Sequence, residues 1–408
     1  MRKTGFASQV GLVFGATALG TGLLNFFLLF VGRWIGPEAF GTYFLAYSIS
    51  TFIVLPTAYG IGPATTFTLA RTGRLAPGAM ATVIFATAAI LLVGGLWVTR
   101  SPLAVLLALP ESVVAAGILF SVPLAGYLFA EHVLTGVRRY PGLAVLRVLV
   151  PVGFVVIVVT QVFGFGKGDF AVPLWGRAVP YLAASGIILA FVIRAFSRTE
   201  WPALGPFLRY AGGAALSSAS SVVFISLDKL ILARSLNADE LGIYSALFLA
   251  SFMVAGRLSE AFTTVLFPES ARQHANAGER LAPRLPGRIQ VLVGIAVLCV
   301  VLSALQFLAI WILGERYHAS WTVVAWFALG ASLYGASEIR WWYLASFGNR
   351  GIRLFGFSSV IASVILVAGL IILAPAFRLA GAAAAFVLAS GFNLIMGLAC
   401  EHRIRHNP

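Results

Sequence analysis

The strongest constraint in this sequence is a succession of apolar runs, each long enough to cross the hydrocarbon core of a bilayer. A membrane-spanning helix needs about 20 mostly apolar residues. Of the 408 residues, 60% are hydrophobic and only 10% are charged, whereas a soluble domain carries about 25% charged residues. The sequence therefore excludes a soluble globular protein, a disordered chain and a disulfide scaffold. It predicts an all-α polytopic membrane protein.

Charged residues and Pro/Gly breaks divide the apolar sequence into about twelve predicted transmembrane helices. The fourth is the weakest because Glu131 and His132 interrupt it, and Asp228 and Lys229 interrupt the seventh. The predicted spans are residues 9–34, 40–63, 76–98, 111–136, 143–163, 172–195, 206–233, 241–267, 286–313, 321–345, 352–374 and 380–400.

The surplus of basic residues follows the predicted topology. The chain has 28 Lys and Arg against 14 Asp and Glu, which gives a net charge of +14. The basic residues collect in alternate loops, such as the loop with Arg71 and Arg74 and the loop with Arg138 and Arg139. Because cytoplasmic loops are enriched in Lys and Arg, we predict that both chain termini are cytoplasmic. The charge then gives no argument for a nucleic-acid partner.

An internal repeat relates the two halves of the chain. Residues 32–43 and 233–244 align without gaps at an offset of 201 residues, and the match continues further along the chain. An even number of predicted spans separates the copies, so both halves face the same way. We therefore predict two six-helix lobes, residues 1–200 and 201–408, related by a parallel pseudo-twofold repeat. Such repeats are typical of alternating-access transporters, although duplication also occurs in membrane enzymes. The matched pairs are Arg33 with Arg234, Glu38 with Asp239, Gly41 with Gly242, Tyr43 with Tyr244, and Ser50 with Ser251.

Two motifs carry a resemblance to a known family. The first is Gly32-Arg-Trp-Ile-Gly-Pro-Glu-Ala-Phe-Gly-Thr-Tyr43, and the second is Ser226-Leu-Asp-Lys-Leu-Ile-Leu-Ala-Arg234 followed by Leu241-Gly-Ile-Tyr-Ser245. They resemble polysaccharide flippases of the multidrug/oligosaccharidyl-lipid/polysaccharide superfamily, clearly over residues 5–75 and 205–275. The chain departs from the family pattern at Ala233 and Asn237, which stand in place of glycines. The resemblance implies a MATE-like fold of two lobes. It also implies transport of saccharides linked to an undecaprenyl-type pyrophosphate.

The expected function is therefore a non-enzymatic flippase in a bacterial inner membrane, working by alternating access. Its expected partners are a lipid-linked oligosaccharide, membrane lipid and other polysaccharide-assembly membrane proteins. We expect no cofactor and no metal site, because the sequence has neither a Walker A motif nor a Cys/His cluster. An H⁺ or Na⁺ gradient, or the membrane potential, would drive transport. Two alternatives stay open, namely a multidrug or cation antiporter of the same superfamily and a membrane glycosyltransferase or polymerase.

Ionisable residues inside the spans are the candidate functional residues, because each costs about 2.5–3.5 kcal/mol to insert. Arginine suits a pyrophosphate because it can donate two parallel hydrogen bonds. A carboxylate could couple transport to a cation. Local ion pairs, snorkelling and ordinary positive-inside charge remain alternative explanations. The predicted substrate-binding residues are Arg147, Arg257, Lys229, Arg138, Arg139 and Arg340, and the predicted coupling residues are Asp228, Glu260, Glu131 and Glu338.

The spacing of some candidates predicts their orientation. Arg257 and Glu260 stand three residues apart on the eighth predicted span and should share a helix face. Asp228 and Lys229 are consecutive, so we expect them to point in different directions, one into the cleft and the other towards an interface or another helix. The residues that follow Arg340, Trp341-Trp-Tyr343, predict an aromatic belt at the membrane interface or a contact with a glycan.

Overall fold

The computed structural model describes residues 6–72, 76–137, 139–165, 168–193, 204–259, 288–345 and 349–406. Within these ranges the chain is helical and contains no strand. This arrangement confirms the predicted all-α membrane fold. Contacts within the chain define two compact units. Unit 1 comprises Met1–Ile35 with Thr42–Leu230, and unit 2 comprises Gly36–Gly41 with Ile231–Pro408. The predicted lobe boundary at residue 200 falls in the undescribed stretch 194–203, so it stays a prediction.

Unit 1 is built around the long helix α5, which packs against α2, α3 and α7, while α6 packs against α7. A π-helical turn precedes α2 and contacts α8. The helices are α1 (Phe6–Ile53), the π turn (Thr57–Ile61), α2 (Gly62–Thr72), α3 (Ala76–Val98), α4 (Arg100–Leu107), α5 (Glu111–Gly136), α6 (Tyr140–Phe165), α7 (Ala171–Ile193), α8 (Leu204–Val222), a second π turn (Val223–Leu227) and α9 (Asp228–Leu232).

Unit 2 has its most extensive helix packing between α12 and α13, and α11 packs against α12. A third π turn follows α10 and contacts both α11 and α12. The helices are α10 (Ala238–Phe248), the π turn (Leu249–Met253), α11 (Arg288–Leu313), α12 (Trp321–Ala345) and α13 (Asn349–His406).

Nine helices among the described residues are long and apolar enough to cross a membrane. Two of them each contain two predicted spans, because α1 and α13 are helices merged across a sharp break. The break in α1 lies at Gly36, with φ 84° and ψ 167°, and the break in α13 lies at Arg378, with φ 51° and ψ −128°. Both residues have a positive φ, which interrupts the right-handed helical path. As far as their residues are described, eleven of the twelve predicted spans coincide wholly or largely with these nine helices. The second predicted span, 40–63, runs beyond the end of α1 at Ile53 into the π turn and α2.

The seventh predicted span, residues 206–233, is the exception. It consists of α8, a π turn and α9, and no helix in it meets the length and hydropathy of a candidate span. Small and polar residues such as those at Gly212–Ser221 dilute its apolar character. By contrast, the fourth predicted span is one continuous helix, α5, despite Glu131 and His132. Both polar side chains have partners on other helices, which explains why α5 tolerates them. Glu131 pairs with Arg147 of α6, and the His132 Nδ1 lies 3.1 Å from the Thr66 hydroxyl of α2.

Repeat-related residues occupy equivalent local settings. Tyr43 and Tyr244 are both 0% exposed, and the hydroxyls of Ser50 and Ser251 each donate to the carbonyl four residues earlier, at 2.8 and 2.6 Å. A methyl group at Gly41 would lie 2.7 Å from the Ala238 carbonyl oxygen and 2.8 Å from the Gly242 nitrogen. One at Gly242 would overlap the backbone of Pro37. The two glycines thus permit the starts of the two repeated helices to touch through their backbones.

Candidate functional site

A polar cluster joins three helices of unit 1. The Arg147 Nε on α6 donates to the Glu131 Oε1 on α5 at 2.8 Å, and the Arg147 Nη1 donates to the Thr17 Oγ1 on α1 at 2.6 Å. The Tyr127 hydroxyl, one turn before Glu131, donates to the same carboxylate oxygen at 3.2 Å. The side chains of Arg147 and Glu131 keep 21% and 18% of their surface exposed. The cluster is therefore an accessible ion pair within helices that are apolar enough to span a membrane.

Close backbone packing positions Thr17 opposite Arg147. A methyl group at Gly20 would overlap the Arg147 carbonyl oxygen, so α1 and α6 can approach this closely only with glycine at that position. The Thr17 hydroxyl donates to the Val13 carbonyl at 2.7 Å, which leaves its oxygen to accept from the guanidinium. Hydrogen bonds to a charged donor or acceptor are short and strong, so Arg147 is held on two sides.

Aromatic residues continue from this cluster into unit 1. The Tyr127 ring stacks on Tyr181 of α7, with centroids 4.4 Å apart and an interplanar angle of 13°. The ring centroid of Phe120 of α5 lies 6.1 Å from that of Tyr181 and 6.1 Å from that of Tyr47 of α1. Phe120 and Tyr181 are buried, whereas Tyr47 and Tyr127 are only half-buried. We call these four residues the aromatic array.

Arg177 of α7 is a buried cation that the sequence-based list omits. It is 6% exposed, and its guanidinium carbon lies 5.5 Å from the Tyr43 ring centroid and 5.4 Å from those of Tyr47 and Phe154. Aromatic faces attract a desolvated cation by up to about 2 kcal/mol each. The sequence could have identified this residue, because Arg177 is an ionisable residue inside the predicted span 172–195.

Asp228 and Lys229 are both buried and pair with each other, which corrects the prediction that they point apart. The Lys229 Nζ lies 3.1 Å from Asp228 Oδ1 and 3.0 Å from Oδ2, and the Lys229 and Asp228 side chains are 2% and 0% exposed. The prediction of opposed directions assumed a lysine extended straight away from the helix. The lysine stem instead bends back to its neighbour, directly after the π turn Val223–Leu227. Burial favours this pairing, since an isolated charge there would be costly.

Arg340 of α12 is also paired, with Glu401 of α13, and both residues are buried. Next to them, the Trp341 Nε1 donates to the Asn393 Oδ1 at 3.0 Å, and the Ser358 hydroxyl donates to the same oxygen at 2.8 Å. Sequence reasoning did not identify Glu401 or Asn393. Both lie near the end of the last predicted span, and only the packing of α12 on α13 shows what they contact.

The aromatic belt predicted at residues 341–343 is wrong for two of its three members. Trp341 and Tyr343 are 0% and 1% exposed, so they pack in the core of unit 2 and cannot face lipid headgroups or a glycan. Trp342 is 38% exposed and fits the prediction. Glu338, one helical turn before Trp342, is half-buried.

The remaining predicted residues fall into two groups. Arg257 and Arg139 are exposed. Arg138 and Glu260 lie outside the described residues, so the predicted Arg257–Glu260 face stays a prediction. Among the residues that the structure does describe, no group of three or more His, Cys, Asp or Glu side chains could hold a metal ion.

The second copy of the repeat begins with a well-formed helix cap in unit 2. The Asn237 Oδ1 accepts from the Glu240 backbone nitrogen at 2.8 Å, and a Glu240 carboxylate oxygen accepts from the Asn237 nitrogen at 3.2 Å. Glu240 also forms an ion pair with Arg378 at the break in α13. In the loop 314–320, burial raises the pKa of the Tyr317 hydroxyl above its usual value, and nearby Asp239 adds to the rise. The departure from the family pattern at Asn237 thus creates a capping box.

The sequence model of a family described as polysaccharide biosynthesis protein matches residues 8–274. No curated protein matches the chain in sequence. Among solved structures, the chain is similar to the lipid II flippase MurJ in an inward closed conformation, with 12% identity and a TM-score of 0.66, covering 95% of this chain and 87% of that one.

Two multidrug transporters are similar to the same extent. An inward-facing MATE family transporter of the MOP superfamily has 13% identity and a TM-score of 0.65, covering 98% of this chain and 99% of that one. The MATE multidrug transporter DinF-BH has 16% identity and a TM-score of 0.66, covering 98% of this chain and 96% of that one. At these identities the likeness concerns the fold alone.

Proposed function

The chain belongs to the polysaccharide biosynthesis protein family, and we propose that it is a flippase that moves a lipid-linked saccharide across the cytoplasmic membrane. It is a multi-pass membrane protein with a transporter fold. The observation that carries the proposal is the partly exposed cluster of Arg147, Glu131 and Thr17 inside unit 1. An exposed guanidinium at membrane depth is expensive, and an anionic head group is a ligand that such a group can bind.

In the proposed mechanism the pyrophosphate of the substrate approaches Arg147 while the lipid tail stays in the bilayer. Glu131 and Thr17 hold the guanidinium in place before the substrate arrives, so little side-chain freedom is lost on binding. Phosphate oxygens then accept hydrogen bonds from the guanidinium, which presents its donors in a rigid planar fork. The lobes alternate between access to the two sides of the membrane and carry the head group across.

We propose Glu131 as the coupling carboxylate, with the membrane potential or a cation gradient as the driving force. Glu131 is 18% exposed and can exchange a proton or contact a cation, whereas Asp228 is fully buried against Lys229. A single charge that crosses the whole potential gains about 2.3 kcal/mol per 100 mV. Loss of the Glu131 charge during the cycle would also weaken its hold on Arg147 and favour release of the head group.

The test is transport by purified protein in vesicles loaded with undecaprenyl pyrophosphate-linked saccharide, with flipping read as exposure of the glycan to an external lectin. Arg147→Gln should lower the flipping rate by about tenfold or more, since hydrogen bonds to a charged group are worth about 1.5–3 kcal/mol. Arg209→Gln is the matched control, because Arg209 is an exposed arginine of the same unit.

Two outcomes would contradict the proposal. Full flipping by folded Arg147→Gln protein would remove the cationic cluster from the mechanism. Export of a cationic dye by the wild type, with no flipping of the saccharide lipid, would favour the multidrug antiporter instead.

A further inference from the structure

The aromatic array lies next to the ion pair that the proposed function uses for pyrophosphate. Tyr127 belongs to both, because its ring stacks on Tyr181 at 4.4 Å while its hydroxyl donates to Glu131 at 3.2 Å. One helical turn, a rise of about 6 Å, separates Tyr127 from Glu131 along α5. A group bound at Arg147 therefore has an aromatic surface within the length of one sugar ring.

The construction of the array suits a binding surface better than ordinary core packing. Its two inner members, Phe120 and Tyr181, are 0% and 6% exposed and support the outer two. The outer members, Tyr47 and Tyr127, are half-buried, so part of each residue remains accessible. Side chains that already pack against other rings lose little conformational freedom on binding a ligand.

The polar groups at the array match the chemistry of a carbohydrate. A sugar ring has apolar C–H faces that pack on aromatic rings, and hydroxyls around its edge that donate to carboxylate and phenol oxygens. Tyr127 offers a ring and a hydroxyl, and Glu131 offers carboxylate oxygens beside it. An apolar drug would contact the ring faces and would form no hydrogen bond to the carboxylate or the phenol.

We propose that Tyr47 and Tyr127 form a subsite for the sugar that is attached directly to the pyrophosphate, with Phe120 and Tyr181 as its support. This inference rests on the proposed function, since it places the phosphate at Arg147. It assigns recognition of the carrier phosphate and recognition of the sugar to different residues of unit 1. The order of the two groups in the substrate, phosphate and then sugar, follows the order of Arg147, Glu131 and Tyr127.

The test compares two probes on the purified full-length protein: undecaprenyl pyrophosphate, and the same lipid carrying one N-acetylhexosamine. Tyr47→Leu should weaken binding of the sugar-bearing lipid about tenfold and leave binding of the sugar-free lipid unchanged. Tyr127→Leu also removes a hydrogen bond to Glu131, so it should weaken binding of the sugar-bearing lipid more than binding of the sugar-free lipid. Tyr127→Phe keeps the ring and should retain most of the affinity. Tyr210→Leu is the matched control, because Tyr210 is an exposed tyrosine on α8.

The outcomes separate the subsite from the proposed function. If Tyr127→Leu and Tyr47→Leu weaken binding of both lipids equally, or of neither, the sugar subsite is wrong. If the wild type fails to bind the sugar-free lipid, or if Arg147→Gln binds it as tightly as the wild type, the phosphate site fails and the proposed function with it. The subsite is supported if the affinity for the sugar-bearing lipid, relative to that for the sugar-free lipid, falls only in the tyrosine variants. A general loss of folded protein would lower both affinities together.

Discussion

The two copies of the repeated motif begin their helices by different means. In the first copy the chain turns at Gly36, which has φ 84° and ψ 167° and is followed by Pro37. In the second copy the equivalent residue is Asn237, with φ −74° and ψ 169°, and its side chain closes a capping box with Glu240. Glycine supplies a backbone conformation that other residues rarely adopt, whereas asparagine supplies a hydrogen bond. The repeated helix thus begins through backbone freedom in one copy and through side-chain bonding in the other.

The helices that follow differ more strongly in what surrounds them. Tyr43 packs beneath the buried guanidinium of Arg177, while its counterpart Tyr244 packs against Phe327 and Phe386. The offset of 201 residues that relates the tyrosines also relates Arg177 to Arg378. Arg378 instead lies half-exposed on the surface and pairs with Glu240. The duplicated halves keep an arginine at this offset, but only unit 1 buries it, and the substrate chemistry that we propose lies in the same unit.

The largest effect should come from the residue that lets the two copies touch. Gly242→Ala places a methyl group on the backbone of Pro37, and neither backbone can yield locally. We expect the free energy of unfolding to fall on the order of 3 kcal/mol, measured by thermal unfolding of purified protein. Gly212→Ala is the control, because a methyl group there meets nothing within 4 Å. Equal stability of the two variants would mean that the copies do not need this contact.

The next effect should distinguish the two arginines that stand 201 residues apart, Arg177 and Arg378. Arg177→Gln removes the cation from three aromatic faces and should lower the free energy of unfolding by about 2 kcal/mol. Arg378→Gln removes only a surface ion pair and should leave the unfolding temperature close to that of the wild type. Equal losses of stability from the two substitutions would show that the buried Arg177 contributes no more to stability than the exposed Arg378.

The smallest effects should separate the two ways of starting a helix. Gly36→Ala forces a side chain into the glycine conformation and should cost about 2 kcal/mol. Asn237→Ala removes the cap and should cost about 1 kcal/mol, and Asn237→Gly only a few tenths. The measurement is again thermal unfolding of each variant. A larger loss of stability from Asn237→Ala than from Gly36→Ala would contradict this ranking. It would mean that the cap in the second copy matters more than the glycine conformation in the first.

Much of the fold could be predicted because it depends on local composition. Apolar runs gave the spans, and the parallel repeat located Tyr43 and Tyr244 at equivalent buried positions. The seventh predicted span was less regular than expected, because the π turn Val223–Leu227 interrupts it and leaves no mark in hydropathy.

The candidate site was harder to predict, because charges inside a membrane acquire their meaning from partners on other helices. Arg147 and Glu131 were both identified, but their mutual pairing and the Thr17 contact depend on how α1, α5 and α6 meet. Arg340 was identified without Glu401, which lies 61 residues away in sequence. The aromatic array escaped notice because tyrosines within apolar runs look like ordinary core residues until their neighbours are known.

The Asp228–Lys229 pair has an electrical consequence. Two opposite unit charges on consecutive residues, joined at 3.0 Å, form a dipole with no net charge. The work done by a transmembrane potential depends on net charge moved, so this pair contributes almost no gating charge when its helix shifts along the membrane normal. Any sensitivity of the transport rate to voltage would then arise from the charge of the substrate and from carboxylates that change protonation, and it would survive Asp228→Asn combined with Lys229→Met.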